Sequence, residues 1–237
     1  NFKVLAISID TLGNKNRDFK KGQWDYLVKQ LNEFVKLRDK KSNGVALDIK
    51  TVILDESIDK LFDLHKFVME VLRADTHSLQ LLKGAEIQHS DLMFNFEQID
   101  DDYKAYQYKN FEKLVNQLNL IKEYNYKNNY KSYLHPSVID LNDNKSLRIE
   151  DLKYLNEQTH NPKNFSTCHA PWGCVYINVD GNLFPCMAVP MGNVKKDKIK
   201  DIVFSEKFEK FKKIIREKGT INGCNRCGWL KPVVSQI

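Results

Sequence analysis

Cysteine carries the most chemistry in this sequence. All five, Cys168, Cys174, Cys186, Cys224 and Cys227, lie beyond residue 167 of 237. Four thiolates that converge on one point make a metal site. Cys224 and Cys227 form a CxxC pair, which offers two ligands from a single turn. The other two must come from a distance. The Asp180–Gly181 turn supplies the means, because it folds the chain back so that the residues flanking it approach each other. Cys186 ends the returning strand, and its partner is Cys168 or Cys174. Cys168 is the better choice: the Pro171-Trp172-Gly173 turn after it leaves it loop freedom. Cys174 heads the outgoing strand and reads as a small buried residue. The expected ligands are therefore Cys168, Cys186, Cys224 and Cys227. Unconnected core thiols would be spread along the chain rather than crowded at its end. Thiolates alone do not separate zinc from an iron–sulfur cluster. Zinc ribbons usually carry two CxxC pairs, and one is present here, which favours a cluster over zinc.

The elements that must position these residues follow from apolar periodicity. Val4 to Ile9 reads as a buried strand. Gly13, Asn14 and Asn16 mark a loop, and Trp24, Leu27, Val28, Leu31, Phe34 and Val35 recur at helical spacing up to a break at Ser42-Asn43-Gly44. Leu47 to Leu54 is a second strand. Ser57 is the expected N-cap of a helix with Ile58, Leu61, Phe62, His65, Val68, Met69 and Leu72 on its inner stripe. Ser78 to Leu82 is a third strand closed by Gly84. Asp100–Asp102 are expected to open a longer helix that buries Tyr103, Tyr106, Phe111, Leu114, Leu118 and Ile121. Strands separated by helices imply parallel pairing with right-handed crossovers. Residues 126–164 read as a connector with a short helix near Ile149–Leu155. In the last segment, Val175–Val179 and Asn182–Pro185 form a hairpin, and a helix capped by Ser205 leads to the final cysteines. Three strands are few for a parallel sheet, and the first begins almost at Asn1. The expectation is the C-terminal part of a partial (β/α) TIM-like barrel over residues 1–125, then a small α+β domain over 165–237, within a longer protein.

Composition narrows the partners. Hydrophobic residues make up 42% of the chain, which supports a globular core, and no apolar run approaches a membrane span. The net charge of +6 comes from lysines that alternate with acids on helix faces, so no nucleic-acid partner is expected. Thiols without a signal peptide point to the cytoplasm, where metal binding outranks disulfides. Ser8 and Asp10, at the C-terminal end of a strand, suit ligand contact, because binding groups of parallel sheets gather there. The competing role for Asp10 is to close the turn after the strand. His65 reads as a packed core histidine. His169 is not needed beside four cysteines, and nothing ranks Asp18, Glu86, His89 or Asp91 as substrate groups.

Cys168-His-Ala-Pro-Trp and Tyr176-Ile-Asn-Val-Asp-Gly-Asn-Leu-Phe-Pro-Cys186 resemble the auxiliary-cluster region of radical S-adenosylmethionine enzymes, their SPASM or twitch domains. Gly192-Asn193-Val194 and Ile202-Val203-Phe204-Ser205 resemble the stretch before the last cysteines of those domains. The cysteine count suits the shorter, one-cluster twitch form. Ile7-Ser8-Ile9-Asp10 resembles the fourth barrel strand, where the serine meets the ribose of S-adenosylmethionine. Lys21-Gly22 stands where relatives have Arg-Gly, whose arginine contacts the cofactor carboxylate. Leu81-Leu82-Lys83-Gly84 resembles a strand ending in Arg-Gly. The resemblance implies an auxiliary [4Fe–4S] cluster, S-adenosylmethionine held by Ser8, Asp10 and Lys21, and an external electron donor. It also implies radical hydrogen abstraction from a peptide, protein or small-molecule substrate. The family's radical-generating CxxxCxxC motif is absent from these 237 residues. The alternative is a non-catalytic binding module stapled by a four-cysteine zinc.

Overall fold

The computed structural model describes residues 3–14, 20–41, 44–83, 85–88 and 92–233. Asn16, Asp18, Ser42, Asn43, Gly84, His89 and Asp91 lie outside the described residues. The chain divides into two compact units. The first takes Asn1–Leu82, Tyr108–His135 and Ile139–Tyr154; the second takes Lys83–Gln107, Pro136–Val138 and Leu155–Ile237.

The first unit is built on a four-stranded parallel sheet, β1 (Val4–Ser8), β2 (Ala46–Ile53), β3 (Thr76–Leu81) and β4 (Ser132–His135), in that order. α1 (Gln23–Lys41) links β1 to β2, and α2 (Leu61–Lys66) with its π-helical extension Phe67–Val71 links β2 to β3. α3 (Phe111–Asn128) precedes β4. The sheet's inner face is apolar, with Ile9, Leu47, Ile49, Ile53, Leu79 and Leu81 fully or almost fully buried. α1 and α2 cover it with Leu31, Val35, Leu64, Val68 and Leu72.

Four expectations are corrected here. β1 is an edge strand, and Val4, Ala6 and Ser8 are exposed rather than buried. Ser57 does not cap α2: the chain enters through a 3-10 turn, Asp55–Lys60, and the Ser57 hydroxyl donates back to the Leu54 carbonyl at 3.0 Å. The third long helix starts at Phe111, not near Asp100, because Asp101 is extended (φ −60°, ψ 157°) and breaks the pattern. The stretch read as a connector contains β4, paired with β3 from His77↔Ser132 to Gln80↔His135.

A row of polar groups runs through this otherwise apolar core. The Thr51 hydroxyl donates to the Ile9 carbonyl at 2.5 Å and lies 2.9 Å from His77 Nε2. His77 Nδ1 is 2.9 Å from His65 Nδ1, and the two rings stack. His65 Nε2 lies 2.9 Å from Asn125 Oδ1, and the Asn125 amide donates to the Leu141 carbonyl. Buried polar groups must be partnered in this way or they cost stability. Burial holds both imidazoles neutral: it lowers His65 from 6.5 to about 4 and His77 well below its usual value.

The second unit carries a three-stranded antiparallel sheet, β5 (Tyr176–Ile177), β6 (Asn182–Phe184) and β7 (Gly192–Asn193), in sequence order. α4 (Ile149–Leu152) belongs to the first unit; α5 (Ala170–Gly173), α6 (Ile199–Val203) and α7 (Glu206–Lys218) belong to the second. β5 is shorter than expected. Its turn spans Asn178–Gly181, where the Asn178 side chain accepts from the backbone N–H groups of Asp180 and Asn182. Gly181 takes the left-handed backbone (φ +87°) that this reversal requires. The Ser205 hydroxyl caps α7 by accepting from Phe208 N at 3.2 Å. Phe208 and Phe211 are fully buried in a core with Leu183, Met187, Val189 and Ile215. Ala85, Ile87 and Ile99 complete that core, which is why residues 83–107 belong to this unit.

Candidate metal centre

The four expected ligands reach one core from three places. Cys168 follows a 3-10 turn, Pro162–Asn164, and the short lead-in 165–167, which are held against the C-terminal stretch by Ser166 N–H···O=C Lys231 at 2.8 Å and Val233 N–H···O=C Asn164 at 2.9 Å. Cys168 N–H itself donates to the Gly219 carbonyl, just past the end of α7, at 3.0 Å. Cys186 lies two residues beyond β6. Cys224 and Cys227 occupy a tight turn, closed by Cys227 N–H···O=C Cys224 at 2.9 Å. All four pack in the core around Met187 and Phe208. Cys174 is not among the residues packed on that core, and its thiol donates to the Ala170 carbonyl at 3.4 Å, but its sulfur lies near enough to raise Cys168, Cys186 and Cys227.

Several backbone N–H groups aim at the sulfurs, from Ala170 to Cys168, from Trp229 to Cys227 and from Ile221 to Cys224, the last at 3.5 Å. Such bonds favour the thiolate and, around a cluster, raise its potential. Burial opposes them. It pushes Cys224 up to about 12, Cys186 well above its usual value, and Cys168 and Cys227 upward. The thiols also raise one another, so each senses its neighbours' charge. Four neutral thiols that become thiolates only when a cation arrives are the ordinary condition of a metal-binding cysteine set. The donor set therefore fits an iron–sulfur cluster by residue type, burial and N–H···S bonding. Among the described residues, no three His, Cys, Asp or Glu side chains already form a closed group able to hold one metal ion.

A strap from the second unit's first segment secures the site. The Gln88 side-chain amide donates to the carbonyls of Gly223 and Asn225, on either side of Cys224. Ala188 N–H, two residues past Cys186, donates to the Ile87 carbonyl at 2.7 Å. The fit is close enough to require a glycine at 223, since a Cβ there would lie 2.9 Å from Ile87 Cγ2. Spacing along the chain does not announce Gln88, because its partners lie 135 and 137 residues away.

Ser8, Asp10 and Lys21 lie in the first unit. Ser8 is exposed, at the end of β1. Asp10 is 5% exposed, and its carboxylate accepts from Val52 N–H at 2.9 Å, which ties the end of β1 to β2. Lys21 is exposed at the start of the turn into α1, and Glu86 and His169 are exposed in the second unit.

Residues 168–228 match the SPASM family model, an iron-sulfur cluster-binding domain. This segment is of the iron–sulfur cluster-binding kind, and it contains all five cysteines. No curated protein matches the chain. None of the described helices is long and apolar enough to cross a membrane.

Proposed function

We propose that the second unit holds an auxiliary [4Fe–4S] cluster on Cys168, Cys186, Cys224 and Cys227, and that the first unit is part of a radical S-adenosylmethionine barrel. The match of residues 168–228 to an iron–sulfur cluster-binding domain carries the first half of this reading. The sharing of one buried core by those four cysteines supports the choice of ligands, with Cys174 beside the set as the fifth thiol. When bound, a cluster of this type supplies one-electron transfer at a potential set by its surroundings. The residues of this chain then have three tasks. The cysteines surrender their protons and ligate, the N–H groups from Ala170, Ile221 and Trp229 stabilise the sulfurs, and the core around Phe208 excludes water.

For the first unit, support comes from the sheet. β1 to β4 run parallel in chain order, as consecutive barrel strands do. In register, Ser8, Lys50 and Ser78 form one row on the face opposite the buried apolar residues. On this reading the Ser8 hydroxyl meets the cofactor's ribose and Lys21 its carboxylate. Asp10 holds the strand end in shape through Val52. Radical generation needs a second, CxxxCxxC-bound cluster, which these 237 residues do not contain. Its electron comes from an external donor, and the hydrogen is taken from a peptide, protein or small-molecule substrate. A reducing compartment such as the cytoplasm suits these thiols. No observation favours the zinc-stapled module over an iron–sulfur domain.

Two measurements test the two halves. Electron paramagnetic resonance of the dithionite-reduced, anaerobically reconstituted chain is expected to give the signal of a reduced [4Fe–4S] centre, and a [2Fe–2S] signal would overturn the cluster type. Calorimetric titration with S-adenosylmethionine is expected to show binding weakened about tenfold by Ser8→Ala, the loss of one hydrogen bond. Equal affinities would remove Ser8 from the site.

A further inference from the structure

The turn that carries Cys224 and Cys227 has an unexpected residue in it. Asn225 has φ −50° and ψ 127°, Arg226 has φ +53°, and Cys227 N–H donates to the Cys224 carbonyl at 2.9 Å. These are the marks of a type II turn, whose third position needs positive φ and ordinarily holds glycine or asparagine. Arginine there is strained by its Cβ. Among the described residues, the other two non-glycine positions with positive φ, Arg73 and Asn129, are exposed, whereas Arg226 is 2% exposed. A long cationic side chain is rarely buried without a partner, and this one reaches the Leu155 carbonyl, to which its Nε donates at 2.8 Å. The Gln88 amide holds the same turn. It donates at 3.0 Å to the Asn225 carbonyl, the group whose direction separates a type II turn from a type I. A glycine at position 226 would give the same backbone without strain, so what arginine adds is its side chain.

We infer that Arg226 is a positioning residue of the metal centre: its tether to Leu155 holds the Cys224–Cys227 turn in the type II form, so that these two ligands are set before metal binds. This rests on the reading of Cys168, Cys186, Cys224 and Cys227 as one ligand set. A CxxC turn free to interconvert must be ordered by the metal, and that ordering weakens binding. A turn ordered beforehand binds without that loss. The strain in the Arg226 backbone sits at the site and is offset by the side-chain bond. Arg226 touches no reacting atom in this account.

Cobalt(II) probes the thiolate set without sulfide, and its visible spectrum reports how the sulfurs surround the ion. The full chain, reduced and metal-free, is titrated anaerobically with cobalt(II) beside its Arg226→Lys, Arg226→Met and Arg226→Gly variants, with circular dichroism as the measure of fold. The Lys variant keeps a charged donor, the Met variant keeps the stem without a donor, and the Gly variant removes strain and side chain together. The Met and Gly variants are expected to fold, to bind cobalt about tenfold more weakly through loss of one charge-assisted hydrogen bond, and to shift the spectrum. The Lys variant is expected to stay within about threefold of the parent. A folded Met or Gly variant with parental affinity and spectrum overturns the proposal. So does a Lys variant as weak as Met, because a donor is then not what holds the turn. If Met and Gly lose their fold while Lys keeps it, the bond serves the whole unit rather than the turn, and the positioning role falls. A parent chain that takes up cobalt but no iron and sulfide on reconstitution fails the iron–sulfur reading alone, with the turn still judged on cobalt. One that takes up neither overturns both.

Discussion

The two units are held together by different means. In the first, strands of four to eight residues bury a continuous apolar face, and six inward aliphatic residues from β2, β3 and the end of β1 are almost wholly shielded from water. In the second, the strands are two or three residues long, too short to stand as a sheet of their own. Their place is taken by α7, by the Gln88 strap and by cysteines that pack as apolar groups until a metal arrives. A sheet unit whose stability comes from burial is indifferent to redox conditions. A unit with so little regular structure needs its ligands, and its fold and its chemistry are one property.

The sharpest way to break this contrast is to remove the metal. Stripping iron with a chelator under mild oxidation is expected to abolish most amide-exchange protection across 168–228 while β1 to β4 keep theirs. Equal loss in both units would mean that the sheet also depends on the cluster. Core truncation comes next. Phe208→Ala is expected to cost about 3–5 kcal/mol and to lower iron occupancy, whereas Leu79→Ala costs about 2–5 kcal/mol and leaves occupancy unchanged. Chemical denaturation with iron analysis checks both. Acid has a smaller effect. Unfolded histidine binds a proton near pH 6.5, while folded His65 stays neutral to about pH 4 and burial likewise holds His77 well below its usual value. Stability from the pair is full above pH 6.5 and falls as the pH drops through that window, by about 3 kcal/mol for His65 alone. His160, lowered by burial from 6.5 to about 4, adds a single such group in the second unit. Urea melts at pH 7.5 and pH 5 are expected to show His65→Gln less pH-sensitive than the parent. The mildest change is Ser205→Ala, which removes the α7 cap and is expected to cost about 1 kcal/mol in a thermal melt.

The sequence was most legible where local pattern and final environment agree. β2 shows as a β-branched run, α1 and α7 as apolar stripes, and the cysteines by type and spacing. β4 was not legible. Ser132–His135 is four residues in an asparagine- and lysine-rich stretch, and only its pairing with β3 makes it a strand. Tyr103 and Tyr106 have helical spacing, but Ala105 N–H is bonded to the Gln158 carbonyl at 2.7 Å and Tyr103 packs edge-on against Phe94. Tertiary contacts overrode the local period there. The same is true of the site. The CxxC pair is visible in the chain, while Gln88 gains its meaning from residues more than a hundred positions away.

The central claim is that the second unit is organised by an iron–sulfur cluster. The most direct test measures iron, acid-labile sulfide and zinc per chain after anaerobic purification, for the parent and for Cys186→Ala. The account predicts about four irons and four sulfides in the parent, lost in the variant, with little zinc in either. One zinc per chain without sulfide would contradict it and leave a metal-stapled module with no redox role.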